Sequence, residues 1–261
     1  MTKVFNVYID TDALLFKSCA SSEHDIVWDD ETGLHIAFSY ENECIAQFNA
    51  YMFELESYLL KTFGSFKYRY IHCLSGVKNF RKYVDETYKS NRKTKRKPLA
   101  YFNLKEWLKG RTANDNFLEV NGLEGDDIMA IQATKDRNNK VLCCIVTNDK
   151  DLKQVHDVPI VNPFDNSMEV YSERESKVWM YTQVLTGDTT DGYSGCKGIG
   201  KIKAEKILKD TPDENLEEVC KQTYITQGMT EDDYYRTLKL ARMVTDIRII
   251  TEDYKIDLNS L

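Results

Sequence analysis

The alternation of apolar and polar positions divides the chain into short strands and amphipathic helices. Near the N-terminus, the stretch VFNVYID predicts a first strand, and ALLFKSCA predicts a short helix after it. Two apolar runs around a turn at 29–33 predict a hairpin, and helical spacing over 41–63 predicts a long helix that ends at Gly64. The stretches KYRYIHCL, FLEV and KVLCCIVT predict three further strands.

Strands that alternate with helices predict an α/β fold with a largely parallel sheet flanked by helices. From about residue 178 the pattern is helical, apart from a glycine-rich interruption at 187–200. We therefore divide the chain into an α/β body at 1–177, with an insertion at about 78–113, and a helical region at 178–261. No apolar run reaches the roughly 20 residues of a membrane span.

Cysteine usage and the N-terminus bear on the compartment. The seven cysteines are odd in number and irregularly spaced, and the four histidines are scattered. This pattern argues against a disulfide framework or a zinc site, and it predicts buried thiols in a reducing compartment. The first residues carry an acidic side chain inside their apolar stretch, which is a poor signal peptide. We expect a cytoplasmic protein that makes no contact with a membrane.

Four groups of acidic residues stand at predicted strand ends, at a helix start and in a loop. Asp10 and Asp12 follow the first strand, and Asp149 and Asp151 follow KVLCCIVT. Because ligands gather beyond the carboxyl ends of parallel strands, we expect these two pairs to converge. The other two groups are Glu124, Asp126 and Asp127 before an apolar helical run, and Asp188 and Asp191 in the loop GDTTDG.

A single acidic pair is ordinarily a turn or a helix cap, and capping remains a local explanation for Asp126 or Asp127. The whole set needs another explanation. At about 4 Å and an effective dielectric of about 20, each like-charged pair costs roughly 4 kcal/mol. Total stability is only about 5–15 kcal/mol. Several such pairs would endanger the fold unless cations neutralised them, and oxygen-only ligands favour Mg²⁺ or Mn²⁺.

A strongly basic segment spans residues 78–111. It holds twelve Lys and Arg against three Asp and Glu, so it carries +9 while the rest of the chain carries −16 of a total of −7. Five of its cations would share one face of a helix, namely Lys89, Arg92, Lys93, Arg96 and Lys97. Such a stripe is either a solvated face or a site for a polyanion. Tyr83, Tyr88 and Tyr101 would then stack on bases or pack internally.

The sequence GCKGIGK at 195–201 matches the first seven positions of a phosphate-binding P-loop. Ile202 stands where that motif requires Ser or Thr, and the preceding VWMYTQVL predicts a helix rather than a strand, so an ATPase site is not supported. A turn between two helices fits better, because Gly198 and Gly200 would let the backbone approach a phosphate. The lysines beside it are Lys197, Lys201 and Lys203. A plain helix–helix turn is the alternative.

Taken together, these stretches resemble the flap endonuclease/5′-nuclease family, and within it the 5′→3′ exonucleases of T-seven-type podophages. The matching segments run in family order over nearly the whole chain: YIDTDALLF, NFRKYVDETYKSNRKTKRKPLAYF, LEGDDIMA, TNDKDLK, GDTTDGYSGCKGIGKIKAEKIL and GMTEDDYY. The resemblance implies a PIN-like α/β body, a helical arch formed by the basic insertion, and a C-terminal helix–three-turn–helix motif.

The resemblance also implies a site for two metal ions. It places metal ligands at Asp10, Glu124, Asp126, Asp149, Asp151 and Asp191, with Asp127 and Asp188 in supporting positions. It assigns the contacts with the scissile phosphate to Lys89 and Arg92 and a stacked base to Tyr88. DNA contacts would extend to Arg81, Lys93, Arg96, Lys97 and the glycine-rich turn, which in the family often binds an alkali cation such as K⁺.

The chain departs from the family pattern at one position. Many members carry another aspartate after the strand that here reads IHCL, and this chain has Ser75 and Gly76 instead. One metal ion would then have fewer protein ligands, unless Asp12 compensates.

We therefore expect a Mg²⁺-dependent 5′→3′ exonuclease, for which Mn²⁺ would substitute, acting on duplex DNA, flaps or RNA–DNA hybrids. It would act as a monomer in the bacterial host, alongside phage replication proteins. Two alternatives stay open. A non-catalytic DNA-binding protein that retains the fold would explain Ser75 and Gly76. A PIN-type ribonuclease would share the acidic groups, but the glycine-rich turn disfavours it.

Overall fold

A computed structural model describes residues 3–29, 31–92, 96–113 and 116–257. Its strands are Val4–Asp10 (β1), Glu23–Asp29 (β2), Leu34–Ser39 (β3), Lys67–Asn79 (β4), Phe117–Gly122 (β5), Leu142–Val146 (β6), Ile160–Val161 (β7), Met168–Glu169 (β8), Gly187–Asp188 (β9) and Tyr193–Ser194 (β10). Six of them form the central sheet in the order β5-β4-β1-β6-β7-β8. All its pairs are parallel except β7–β8. The predicted largely parallel sheet is confirmed.

The helices are Thr11–Ser21 (α1), Glu41–Phe63 (α2), Arg81–Val84 (α3), Tyr101–Arg111 (α4), Gly125–Asn138 (α5), Glu173–Thr186 (α6), Lys201–Lys209 (α7), Leu216–Thr226 (α8) and Glu231–Ala241 (α9). Short 3₁₀ turns cover Ser90–Arg92, Lys150–Gln154 and Asp213–Asn215. Within the described part of the chain, no helix is both long and apolar enough to span a bilayer.

The sheet is covered on both faces, and a third core lies in the C-terminal region. On one face β1, β4 and β6 pack with α5 and with residues 243–250. On the other face they pack with α1, α2 and α4. The third core is built mainly by α6, α7, α8 and α9. The boundary drawn at residue 177 falls inside α6, which contacts both the Lys150–Gln154 turn and α7. All seven cysteines are buried and free, as predicted.

The register brings the carboxyl ends of β1 and β6 to one level, beside the middle of β4. Asp10 pairs with Cys73 of β4, and the preceding Ile9 pairs with Val146 of β6. The chain crosses from β1 to β4 and β5 on one side, and then returns to β6 on the other. The strand order therefore reverses beside β1, which is where open α/β sheets place their ligands.

The helix predicted over 89–97 is wrong for the described residues of the basic segment. Lys89 has a positive φ of 55°, only Ser90–Arg92 forms a 3₁₀ turn, and 96–98 has no regular structure. The helices of this segment are α3 and α4, on either side of it. A helical arch is therefore not seen in the described residues, because Lys89 and Arg92 turn inward onto acidic side chains instead of lining a helix face.

Candidate active site

One pocket at the carboxyl end of the sheet gathers the predicted acidic residues. It has a volume of about 240 Å³, and the carboxylates that line it are Asp10, Asp12, Glu124, Asp126 and Asp149. They come from four places: the end of β1, the first turn of α1, the start of α5 and the segment after β6. Lys89, Arg92 and Ser75 also line it. Residues 139 positions apart in the chain thus face the same cavity.

Thr147 holds the two main aspartates of the pocket in place. Its hydroxyl donates to Asp10 Oδ2 at 2.9 Å and accepts the backbone N–H of Asp149 at 3.0 Å. The other oxygen of Asp10 accepts the N–H of Ala13 at 3.1 Å, so this carboxylate also caps α1. Sequence reasoning missed Thr147, because a threonine at a strand end carries no charge signal.

The carboxylates raise one another's pKa. Burial, with the charges of Asp12 and Asp149, raises the pKa of Asp10 to about 6. Burial and the charges of Asp10 and Asp149 raise the pKa of Asp126 well above its usual range. Burial and the charge of Asp149 raise the pKa of Asp151 to about 7. Burial and mutual repulsion therefore disfavour the ionised forms of these carboxyl groups, and a bound cation would stabilise them.

Cations of the chain itself lie on the acidic residues. The ammonium group of Lys89 donates to Glu124 Oε1 and lies 3.5 Å from Asp191 Oδ2. Arg92 Nη2 donates to Asp191 Oδ1 at 2.7 Å. Burial raises the pKa of Glu124, but Lys89 and Arg81 outweigh it and lower that pKa to about 2. Glu124 is therefore ionised more readily than Asp10, Asp126 and Asp151, whose pKa values are raised.

The pocket is not a closed ion cage. Among the described side chains, no three of Asp, Glu, His and Cys form a group arranged to enclose a metal ion. The oxygens of Glu124 and Asp191 instead accept from Lys89 and Arg92. The donor set nevertheless fits a hard divalent ion, because it is made of carboxylate oxygens whose mutual repulsion a cation would relieve.

Arg81 and Asp127 form a buried ion pair away from the pocket opening. Arg81 is 3% exposed and Asp127 is fully buried. Arg81 Nη1 donates to Asp127 Oδ2 at 2.7 Å, and Nη2 donates to Oδ1 at 2.9 Å. Asp127 Oδ2 also accepts the N–H of Glu124 at the start of α5, at 3.3 Å. The DNA contact expected for Arg81 and the metal-supporting role expected for Asp127 are therefore corrected to a structural ion pair and a helix cap.

Tyr88 is an internal hydrogen-bond donor. Its ring is 2% exposed and lies near Tyr193, with 6.4 Å between ring centroids. Its hydroxyl oxygen lies 2.8 Å from Asp191 Oδ2 and 3.0 Å from Glu124 Oε2, so its single proton is shared between the two carboxylates. The base-stacking role predicted for Tyr88 is wrong for this structure, because the ring is enclosed by protein.

The remaining predicted residues lie around the pocket in different environments. Asp151 accepts from Gln183 Nε2 at 2.6 Å. Asp188 pairs with Lys150 at 2.7 Å and caps the loop through the N–H of Thr190. Two of the cations predicted to bind DNA are engaged elsewhere: Arg96 pairs with Glu23, and the ammonium group of Lys97 lies 3.8 Å from the centre of the Tyr101 ring. Lys93 lies outside the described residues.

Asp12 occupies the position beside Ser75. It accepts the N–H of Ser75 on Oδ2 at 2.8 Å and the hydroxyl of Tyr101 on Oδ1. A Cβ at Gly76 would lie 2.2 Å from the carbonyl oxygen of Val120, so the neighbouring strand excludes any larger side chain there. Gly76 thus reflects close strand packing, the Ser75 hydroxyl accepts the N–H of Gly125 at 3.1 Å, and Asp12 supplies the carboxylate on this side of the pocket.

The glycine-rich turn lies between α6 and α7, as predicted. Gly198 has a φ of 73°, which favours glycine, and Gly200 precedes α7 in open surroundings. The three lysines beside the turn are exposed: Lys197, Lys201 and Lys203. Lys203 Nζ donates to the carbonyl oxygen of Gly198 at 2.8 Å. The turn therefore presents backbone and positive charge on one surface.

The fold and the site together are typical of a PIN-like nuclease. The sheet is largely parallel and carries carboxylates at its strand ends, a basic segment lies over them, and a lysine-rich turn lies between two helices. The family model for the "5′-3′ exonuclease, N-terminal resolvase-like domain" matches residues 9–181, and the chain belongs to this family. It is accordingly a nuclease of the 5′→3′ exonuclease type.

Relatives and solved structures agree with this assignment. The chain is 25% identical to the exonuclease of Escherichia phage T7, over 90% of this chain and 87% of the relative. It is 27% identical to the exodeoxyribonuclease of Enterobacteria phage T3, over 77% and 65% of the two chains. The fold is similar to that of the phage T5 5′-exonuclease with bound zinc, with a TM-score of 0.67, 14% identity and coverage of 99% and 96%.

A second solved structure, the phage T5 flap endonuclease in a complex with DNA and metal ions, has a TM-score of 0.65, 15% identity and the same coverage of 99% and 96%. At this level of identity the similarity concerns the fold. It confirms the predicted α/β architecture over nearly the whole chain.

Proposed function

We propose that this chain hydrolyses phosphodiester bonds from the 5′ end of duplex DNA with the help of two divalent ions, Mg²⁺ or Mn²⁺. One observation carries the proposal: acidic residues from four separate segments face one pocket, and cations of the chain lie on them. The T5 structure that contains DNA and metal ions supports it, because that protein shares the fold.

The carboxylates that would hold the ions are Asp10, Asp12, Glu124, Asp126, Asp149, Asp151 and Asp191, with Asp188 supporting them through Lys150. The chemistry that divalent ions supply at such a site is a lower pKa for water and neutralisation of phosphate charge. Thr147 holds Asp10 and Asp149 in place for this role. Tyr88 does the same for Glu124 and Asp191 through its hydroxyl.

Lys89 and Arg92 are the catalytic side chains of the proposal. Their charges are placed over the pocket by Glu124 and Asp191, within reach of a phosphate that enters it. With Glu124 and Asp191 engaged as metal ligands, Lys89 and Arg92 would be free to bind the scissile phosphate. A single well-placed donor of this kind contributes about 3 kcal/mol to transition-state stabilisation.

Duplex DNA would lie across the lysine-rich turn and the basic segment. Lys197, Lys201 and Lys203 would contact phosphates beside the backbone of Gly198 and Gly200. Lys93, Arg96 and Lys97 would extend this surface. A potassium ion could also bind the backbone carbonyl groups of the turn. To reach the carbonyl oxygen of Gly198, it would have to displace the ammonium group of Lys203. We further propose that the protein cleaves flaps and removes RNA primers. It would act as a monomer in the host cytoplasm, together with phage replication proteins.

A duplex carrying a 5′ label tests this function. The wild-type protein should release labelled 5′ nucleotides in Mg²⁺ or Mn²⁺ and none in EDTA. Asp149→Ala should abolish release, and Asp232→Ala, an exposed aspartate in the first turn of α9, should leave it unchanged. Full activity of the Asp149 variant would refute the proposed site. Binding without cleavage in every metal would indicate a non-catalytic DNA-binding protein, and a parallel RNA substrate would reveal a ribonuclease.

A further inference from the structure

Two buried chains of polar contacts connect the acidic pocket to a single backbone segment. That segment, residues 240–243, is where the chain leaves α9. One chain of contacts begins at Asp151, two residues after Asp149 of the pocket, and the other begins at Glu124, which lines the pocket. Neither connection belongs to the sheet that carries the pocket.

The first chain of contacts consists of two glutamines. Gln183 Nε2 donates to Asp151 Oδ1 at 2.6 Å, and Gln183 Oε1 accepts from Gln154 Nε2 at 2.7 Å. Gln154 Nε2 also donates to the carbonyl of Ala241 at 2.8 Å, and Gln154 Oε1 accepts the N–H of Met243 at 2.8 Å. Gln183 and Gln154 are 4% and 8% exposed. Both N–H groups of Gln154 have partners, so its orientation is fixed by the backbone.

The second chain of contacts runs through Arg81. Beside its ion pair with Asp127, Arg81 donates to Glu124 Oε2 at 3.2 Å. It also donates to the carbonyl oxygens of Leu240 at 3.0 Å and Arg242 at 3.1 Å. The guanidinium group therefore joins a pocket carboxylate to the same segment that holds Gln154.

We propose that Gln183, held by Gln154, is a positioning residue for the metal-binding carboxylates, and that residues 240–243 fix Asp151 and Glu124 relative to each other. The inference rests on the proposed function, because it concerns how the same acidic site is held. A neutral amide suits this task. It orients a carboxylate oxygen without adding a charge that would compete with a divalent ion, as Lys89 does on Glu124.

Helix α9 links residues 240–243 to the region of the glycine-rich turn, where duplex DNA would bind. α9 packs against β9 and β10, next to the glycine-rich turn. The Thr237 hydroxyl, which donates to the carbonyl of Asp233 in its own helix at 3.0 Å, lies 3.4 Å from the carbonyl oxygen of Ser194 in β10. The end of α9 then leads directly into residues 240–243. The region that would hold the duplex and the carboxylates that would hold the ions are thus attached to one helix.

Titration of the DNA-free protein with Mn²⁺, followed by calorimetry, tests the positioning role. Gln183→Met keeps the side-chain length and removes the amide. We expect Mn²⁺ affinity at one site to fall about 10- to 100-fold, as for other residues that orient a metal ligand. Gln222→Met, an exposed glutamine on α8, is the matched control and should bind Mn²⁺ as the wild type does.

A second variant approaches the same chain of contacts from its other end. Gln154→Met should also weaken Mn²⁺ binding, and the Gln154/Gln183 double variant should lose no more affinity than Gln183→Met alone, because the two residues act in series. Thermal unfolding of each variant is measured in EDTA. Lower melting temperatures with unchanged Mn²⁺ affinity would show a purely structural role and overturn the proposal. A wild-type protein that binds no Mn²⁺ would instead refute the proposed function.

Discussion

Lys89 is joined to Asp191 by both its backbone and its side chain. Its N–H donates to the carbonyl oxygen of Asp191 at 2.8 Å, and its ammonium nitrogen lies 3.5 Å from Asp191 Oδ2. The positive φ of Lys89 turns the chain so that both contacts form. A cation of the basic segment is thus placed among the carboxylates before any substrate arrives.

Lys89→Ala should therefore have opposite effects on metal binding and on cleavage. Without DNA, the ammonium group and a divalent ion compete for Glu124, so its removal should tighten Mn²⁺ binding about fivefold, equivalent to about 1 kcal/mol. With DNA, cleavage should slow about 100- to 1000-fold, because a donor to the phosphate is lost. Calorimetry and single-turnover cleavage measure the two effects. Lys82→Ala, an exposed neighbour in α3, is the control; unchanged Mn²⁺ affinity in Lys89→Ala would contradict the competition.

Stability in the absence of divalent ions should increase as the pH falls. Burial and neighbouring charges raise the pKa of Asp10 to about 6 and that of Asp151 to about 7. A carboxyl group with a raised pKa in the folded protein binds a proton that the unfolded chain has released, so folding is disfavoured above the folded-state pKa. The penalty falls progressively as the pH drops from that pKa towards the ordinary aspartate pKa of about 4. In EDTA, the melting temperature should be higher at pH 6 than at pH 8.

Two further measurements isolate the acidic pocket as the source of this pH dependence. Saturating Mg²⁺ should flatten it, because the ions would take over the neutralisation. Asp126→Asn should raise the melting temperature in EDTA at pH 8, since one repelling carboxylate is gone. A lower melting temperature in this variant would mean that Asp126 is needed as a helix cap rather than as a metal ligand.

Asp127→Asn should destabilise the protein strongly, with or without metal. The substitution leaves the Arg81 guanidinium buried with half of its ion pair removed, and breaking such a pair costs about 3–5 kcal/mol. Urea unfolding measures the loss, and Asp232→Asn on the surface of α9 is the control. A loss of metal affinity at unchanged stability would restore Asp127 to the metal site.

The sequence predicted those features of the site that follow from the order of strands and helices. It did not predict those that depend on contacts between residues far apart in the chain. The convergence of Asp10 and Asp149 was predictable, because parallel strands carry their ends to one edge. The burial of individual side chains was not predictable in this way. Arg81 and Tyr88 were therefore predicted to contact DNA, although both side chains are buried in the protein. The glutamines behind Asp151 left no signal, since Gln154 and Gln183 are uncharged and meet only through tertiary packing.

The error over 89–97 has a similar cause. The helical spacing of five cations shows only which of them would share a face if the segment were a helix. It does not show which distant acidic residues attract those cations into another conformation. Asp191, almost a hundred residues later, holds Arg92 at 2.7 Å, and Asn91 donates to the carbonyl of Thr189 at 3.0 Å. These long-range contacts replace a helix that would have placed like charges side by side.

Asp12→Asn should weaken Mn²⁺ binding if Asp12 supplies a carboxylate beside Ser75. We expect about a tenfold loss, because the amide keeps the contact with the Ser75 N–H on its oxygen but removes the charge. Tyr101→Phe should have a smaller effect of the same sign, since the hydroxyl only orients Asp12. Calorimetry of both variants, compared with Tyr83→Phe on the exposed face of α3, measures this. Wild-type affinity in Asp12→Asn would remove Asp12 from the site.

The lysine-rich turn should contribute to duplex affinity through charge alone. Lys201 is exposed at the start of α7, 3.9 Å from Glu205, so its replacement by alanine disturbs no buried contact. Lys201→Ala should weaken binding equally for duplexes of different sequence and reduce the slope of log affinity against log salt by about one. Fluorescence anisotropy in EDTA, which prevents cleavage, measures both quantities. Lys61→Ala at the end of α2, remote from the turn, should change neither. An unaltered salt slope in Lys201→Ala would show that the duplex does not cross this turn, and the glycines would then serve only to connect two helices.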